Sequence, residues 1–145
     1  MKKTIFITGA AKRIGKEIAL CFSEMGWNII IHYNSSKNDA QVLADEINGN
    51  NPDSAITVQG NLDVKEDVEK VINEVRDAFP TIDLLINNAS TFYPTPIEDI
   101  SEEHWDKLVG SNLKGPLFLI KGLKDKLKES KGSIINITDT NLSKG

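Results

Sequence analysis

Five short β-rich runs alternate with four longer helical patterns along this chain, and few folds accept that order. Lys3–Thr8, Trp27–His32, Ser54–Gln59, Ile82–Asn87 and Ser133–Thr138 read as strands. Most are near-continuous Ile, Leu and Val, as expected of strands covered on both faces, and only the third alternates clearly. Lys12–Met25 carries Ile14, Ile18, Cys21, Phe22 and Met25 on a broad apolar face and stops at Gly26. Lys37–Ile47 is a weaker helix ending before Gly49. Asp63 with Glu66 has the form of a capping box, followed by Val64, Val68, Val71, Ile72, Val75 and Phe79 at helical spacing. Ser101 caps a long helix to about Glu129, with Trp105 facing the core and Gly115-Pro116 kinking it. Strand–helix–strand repeats connect by right-handed crossovers, so the sheet is parallel with helices on both faces. With 145 residues the chain makes one domain, a doubly wound α/β fold over residues 1–145.

Composition narrows the function classes. The net charge of −4 is a poor basis for nucleic-acid binding, and the lysines of 121–131, interleaved with Leu123 and Leu127, read as one solvated helix face. Cys21 is the single cysteine, which excludes an internal disulfide and a multi-cysteine metal site. His32 and His104 lie far apart in the chain and make no metal site. No apolar run nears the roughly 20 residues that span a bilayer. A cytoplasmic protein with no membrane or nucleic-acid partner is the expectation.

The first strand runs into Thr8-Gly9-Ala10-Ala11-Lys12-Arg13-Ile14-Gly15. Gly9 permits a tight turn, Gly15 lets helix and sheet approach closely, and the helix N-terminus offers free N–H groups to a pyrophosphate. This is the Rossmann-type arrangement, although an ordinary glycine turn between strand and helix has the same outline. The Asn88–Asp99 loop carries Pro94 and Pro96 and follows a strand's carboxyl end, where open α/β sheets bind ligands.

Thr-Gly-x-x-x-x-Ile-Gly, Asn87-Asn-Ala after the fourth strand and Asn112 in the fourth helix resemble the short-chain dehydrogenase/reductase superfamily. The usual turn has a glycine where Arg13 stands. The form Thr8-Gly-Ala-Ala-Lys-Arg-Ile-Gly15 is similar to the pteridine reductase branch, as are His32-Tyr33, Ser54–Gln59 and Asn87–Pro96. The resemblance covers essentially the whole chain. It implies an NADPH-dependent reductase of a pterin-like substrate, forming a tetramer. The alternatives are another short-chain carbonyl reductase, such as a 3-oxoacyl reductase, or a dinucleotide-binding module without catalysis.

An acid at the end of the second strand would hold the ribose hydroxyls of NAD. None occurs between Trp27 and Asn38, which permits the 2′-phosphate of NADP(H). The resemblance makes Arg13 and Ser36 its contacts, with Lys12 beside them. It also brings Gly9, Ile14, Gly15, His32, Tyr33, Asn34, Asn61, Leu62, Asn88, Ala89 and Ser90 to the cofactor. A solvated Arg13, a packed His32 and an apolar, non-contacting Leu62 are the plainer readings.

Ser90 and Phe92 face the substrate by resemblance, Phe92 stacking a flat heterocycle against the nicotinamide; Phe92 and Tyr93 could equally form a small loop core. Asp139 stands where most of the superfamily has a catalytic Ser and would relay a proton, unless it is only a turn or cap. Asn112 would hold a water in the relay, with Gly110 and Gly115 marking a distorted helix. The family's Tyr-x-x-x-Lys pair lies roughly a dozen residues past the Asp139 position, so the resemblance implies an NADP-binding Rossmann domain truncated at its C-terminus, before that pair. Tyr33 and Lys37 match the spacing by accident and are not assigned.

Overall fold

The computed structural model describes residues 1–138. Strands β1 (Thr4–Ile7), β2 (Asn28–Tyr33), β3 (Ala55–Gln59), β4 (Leu84–Asn87) and β5 (Ser133–Asn136) form one sheet in the order β3-β2-β1-β4-β5, every pair parallel. The winding reverses between β1 and β4, and this is the switch point where such sheets bind ligands. Helices α1 (Arg13–Glu24) and α2 (Lys37–Asn50) cover one face; α3 (Lys65–Ala78) and α5 (Gly115–Glu129) cover the other. Helix α4 (Glu102–Val109) buries none of its residues.

Each strand feeds both layers because side chains alternate. Ile29, Ile31 and Tyr33 pack with Ala40, Leu43 and Ile47 under α2, whereas Ile30 joins Val71, Val75, Leu119 and Leu123 on the opposite face. The near-continuous Ile and Leu runs of β1, β2 and β4 are the mark of this double burial. Strand β5 departs from it: Ile134 and Ile135 stay exposed. Arg76 on α3 ties down α5 with a bidentate pair to Asp125 and a bond to the Gly122 carbonyl. That pairing holds the Asp125 carboxyl well below the usual carboxylate range.

Several local expectations need correction. Helix α1 turns Gly15, Ala19 and Ser23 to the sheet, while Ile14, Cys21 and Met25 are exposed. Small residues at every fourth position let the helix axis come close, and the larger ones flank that contact. Helix α2 continues through Gly49 to Asn50. The Asp63–Glu66 capping box does not form, because Asn61 Oδ1 accepts the Asp63 N–H and the helix begins at Lys65. The real capping box joins Ser101 and His104: Ser101 Oγ accepts the His104 N–H, and His104 Nδ1 accepts the Ser101 N–H. Trp105 is 65% exposed rather than facing the core.

The break in the long helix lies earlier than Gly115-Pro116. Residues Gly110–Lys114 form a π-helical turn in which the Gly115 N–H donates to the Gly110 carbonyl, five residues back. The two glycines allow it. A Cβ at Gly110 would meet Asp63, and one at Gly115 would sit 2.9 Å from the Leu62 carbonyl. Pro116 then fits at the start of α5, where no N–H is needed.

Candidate functional site

The turn after β1 is held from three sides. Thr8 Oγ1 accepts the N–H groups of Asn88 and Ala89, each at 2.9 Å. The Asn88 amide donates to the carbonyls of Thr8 and Gly9 at 3.0 and 3.1 Å. His32 completes the frame. Its Nδ1 accepts the Gly9 N–H at 3.1 Å, and its Nε2 lies 2.9 Å from the Gly60 carbonyl. An accepting Nδ1 places the ring proton on Nε2. Burial pushes this imidazole down to about 4, against the opposing pull of the Gly60 carbonyl, so the ring is neutral near pH 7.

Both glycines of the turn are required by geometry. Gly9 has φ +61°, and a Cβ there would lie 2.9 Å from Ala89 Cα. A Cβ at Gly15 would collide with the Gly9 carbonyl and lie 2.8 Å from both Ala10 Cα and Asn88 Nδ2. Arg13 is the unusual member, with φ +52° in the left-handed region at the first position of α1. A side chain there carries about 1 kcal/mol or more of backbone strain; Asp53 and Lys131 share this conformation, but of the three only Arg13 lines the cleft.

Above this turn opens a cleft of about 500 Å³. Gly9, Lys12, Arg13 and Ile14 form one wall, and His32, Asn34 and Ser36 line the end of β2. Gly60, Asn61 and Leu62 lie beyond, with Asn88, Ala89 and Ser90 opposite. The structure thus assembles nearly all the expected cofactor residues. Gly15 sits beneath the turn as a spacer. Tyr33 does not line the cleft; it is buried on the α2 side of the sheet because its neighbour His32 takes the other face. Asn61 spends its backbone N–H on Asp67 and its Oδ1 on Asp63, which leaves its NH2 group available. Lys12 pairs with Asp39 at 3.1 Å, so that acid's charge is countered, and Asp63 lines the cleft beside Leu62. Among the described ion pairs Arg13 has none.

A second cavity of about 690 Å³ shares Ile14 and Asn88–Thr91 with the first. Phe92, Leu113, Leu117 and Ile137 give it apolar walls, and Asn87 and Asn136 stand at its base, joined by a 2.8 Å amide bond. Phe92 is 81% exposed, whereas Tyr93 packs edge-on against His104, so the two aromatics do not form one loop core. Asn112 projects from the π-helical turn and grips the loop. Its Oδ1 accepts the Thr91 N–H at 3.1 Å, and its Nδ2 donates to the Thr91 carbonyl at 2.7 Å. The side-chain amide is therefore spent on placing Ser90 and Phe92. Asp139 lies outside the described residues, one position past Thr138 on the cavity rim. The frame-building roles of Thr8, Asn87 and Asn136 escaped the sequence reading. Their pattern signal was only a polar residue at the carboxyl end of each of three neighbouring strands.

Burial raises the Asp63 carboxyl above its ordinary value, with Lys107 pulling the other way; its Oδ1 is enclosed against Gly110. Among the described residues no cluster of His, Cys, Asp and Glu is arranged to hold a metal ion, and no helix is long and apolar enough to cross a membrane.

Residues 3–144 match the family model of the short chain dehydrogenases. The chain is 33% identical over 139 residues to a 3-oxoacyl-[acyl-carrier-protein] reductase of Staphylococcus epidermidis, covering 95% of this chain and 57% of that protein. It is 34% identical over 136 residues to an NAD-dependent glycerol dehydrogenase of Listeria innocua, covering 93% and 52%. Its fold superposes on the alternative dihydrofolate reductase 1 of Brucella suis, crystallised with NADP, at a TM-score of 0.90 and 31% identity, covering 97% and 58%. The chain spans a little over half the length of these proteins.

Proposed function

The chain belongs to the short-chain dehydrogenase family, and from that footing we propose that its cleft binds NADP(H) in a reductase of pterin-like substrates. Arg13 carries the reading. The chain holds a guanidinium in a left-handed conformation at the phosphate-binding turn, where glycine would be relaxed. A guanidinium fits a 2′-phosphate as a fork, and the α1 N-terminus with Gly9 fits the pyrophosphate. The end of β2 offers Asn34, Ser35 and Ser36 rather than an acid, so nothing there repels that phosphate. The glycerol dehydrogenase relative is NAD-dependent by name, and the dihydrofolate reductase relative was crystallised with NADP; the residues of this cleft side with the second.

When bound, the nicotinamide supplies hydride. The chain's own residues do the rest. Asn88 and Thr8 fix the turn, Asn112 positions the Ser90–Phe92 segment, and Phe92 offers a face for a planar ring. Asp139 is assigned the proton at the substrate nitrogen. A second reading, reduction of a 3-oxoacyl thioester, draws on the apolar walls at Leu113, Leu117 and Ile137, which suit an acyl chain.

Equilibrium binding to the NADP-loaded chain separates the two. A dihydropterin is expected to bind, and Phe92→Ala to weaken it about tenfold, the scale of one lost stacking contact. Acetoacetyl thioester binding that is stronger, and indifferent to Phe92, would move the assignment to the acyl substrate.

A further inference from the structure

We infer that His32 is a positioning residue for the nucleotide, acting through Gly9 and Gly60 rather than by touching the ligand. The inference rests on the nucleotide reading of the cleft. His32 is 2% exposed, and both ring nitrogens are engaged, so the ring has no polar atom left to offer a cofactor. Its two partners belong to two different loops that line the cleft. Gly9 begins the turn that faces the pyrophosphate, and Gly60 precedes Asn61 and Leu62 at the far wall. One rigid imidazole sets the spacing between them. The backbone adds to this: the Ala10 N–H donates to the His32 carbonyl at 2.9 Å, and the Gly60 N–H donates to the Tyr33 carbonyl at 3.1 Å. The side chain supplies the only link in this set that runs directly from Gly9 to Gly60.

The same bond shapes the anion site. With its N–H given to His32, Gly9 cannot donate to a phosphate, and its carbonyl is already taken by Asn88. The donors left for the ligand are the N–H groups of the first turn of α1, which have no partner within the helix. His32 therefore selects which amides meet the pyrophosphate by holding the turn in the one arrangement that presents them. An ordinary buried histidine would contribute stability alone. This one couples stability to the geometry of a cleft.

The test uses two replacements, with NADPH and NADH titrated against each and melting temperature measured alongside. His32→Leu removes both bonds at similar volume. His32→Asn places an oxygen near the Nδ1 position and can still accept the Gly9 N–H, but cannot reach Gly60. Affinity is expected to fall about tenfold in His32→Leu, equally for both nucleotides, since both carry the pyrophosphate. His32→Asn is expected to retain more affinity than His32→Leu, and by more than any difference in melting temperature between the two accounts for. Should His32→Leu fail to fold, His32→Asn decides against the unaltered chain: equal losses for both nucleotides support the inference, and undiminished affinity overturns it. Affinity that simply follows melting temperature, or a loss confined to NADPH, also overturns it. An unaltered chain that binds neither nucleotide overturns the nucleotide reading itself, and this inference with it.

Discussion

Replacing Arg13 by glycine is expected to make the chain slightly more stable and to remove most of its affinity for NADPH. The two effects have separate causes. At φ +52° an arginine is strained and a glycine is not, so the folded state gains about 1 kcal/mol, reduced by the greater freedom of glycine in the unfolded chain. The guanidinium, in contrast, is the cation proposed to meet a 2′-phosphate, and a charge-assisted fork of this kind is worth about 3 kcal/mol, or roughly a hundredfold in affinity. NADH lacks that phosphate and should lose little. Arg13→Ala separates the contributions: alanine keeps most of the strain, so stability stays near that of the parent while NADPH affinity falls as far. Thermal melting with parallel titrations of both nucleotides checks the pattern. Equal losses for NADPH and NADH would remove Arg13 from the 2′-phosphate.

Gly15→Ala is the second large effect, and it strikes both nucleotides. The added Cβ collides with the Gly9 carbonyl and presses on Ala10 Cα and Asn88 Nδ2 at 2.8 Å. Two of those are backbone, and Asn88 is itself bonded to Thr8 and Gly9, so none yields easily. Overpacking of this kind destabilises by about 1–3 kcal/mol. Because α1 must move off β1, the turn proposed to face the pyrophosphate moves with it. Loss of binding to NADPH and NADH together, with a lowered melting temperature, is the expected result. A variant that melts and binds as the parent does would show that Gly15 is no spacer.

These effects trace to residues that were legible in the sequence to different degrees. The sheet was readable because β1, β2 and β4 are buried on both faces and so need near-unbroken Ile, Leu and Val. The turn was readable because only glycine serves at positions 9 and 15. Helix faces were less so. Cys21 and Met25 appear apolar by type, but α1 lies so close to the sheet that Gly15, Ala19 and Ser23 make the contact. Trp105 failed for a related reason: α4 covers no part of the sheet.

Polar roles were hardest to read. Asp63 and Glu66 satisfy the pattern of a capping box, yet Asn61 had already closed a turn onto the Asp63 N–H. Asn112 was expected to hold a water for a proton relay, and the grip of its side-chain amide on Thr91 is a further role that the sequence did not show. His32 was read as a packed or ribose-adjacent residue; it is packed, and its bonds to Gly9 and Gly60 were not foreseen. For Asn112 and His32 the partners lie more than twenty residues away on other elements, and no local spacing encodes them; for Asp63 the competing partner, Asn61, is only two residues back. Tyr33 could be placed only once the register of β2 was known, since a shift of one residue exchanges its face with that of His32.

The account turns on which dinucleotide the cleft prefers. Calorimetric titration of the unaltered chain with NADPH and with NADH, under the same salt and pH, measures that preference directly. Arg13 in its strained conformation, with no acid at the end of β2, predicts that NADPH binds at least about tenfold more tightly. NADH binding as tightly as NADPH, or neither nucleotide binding at all, would contradict it.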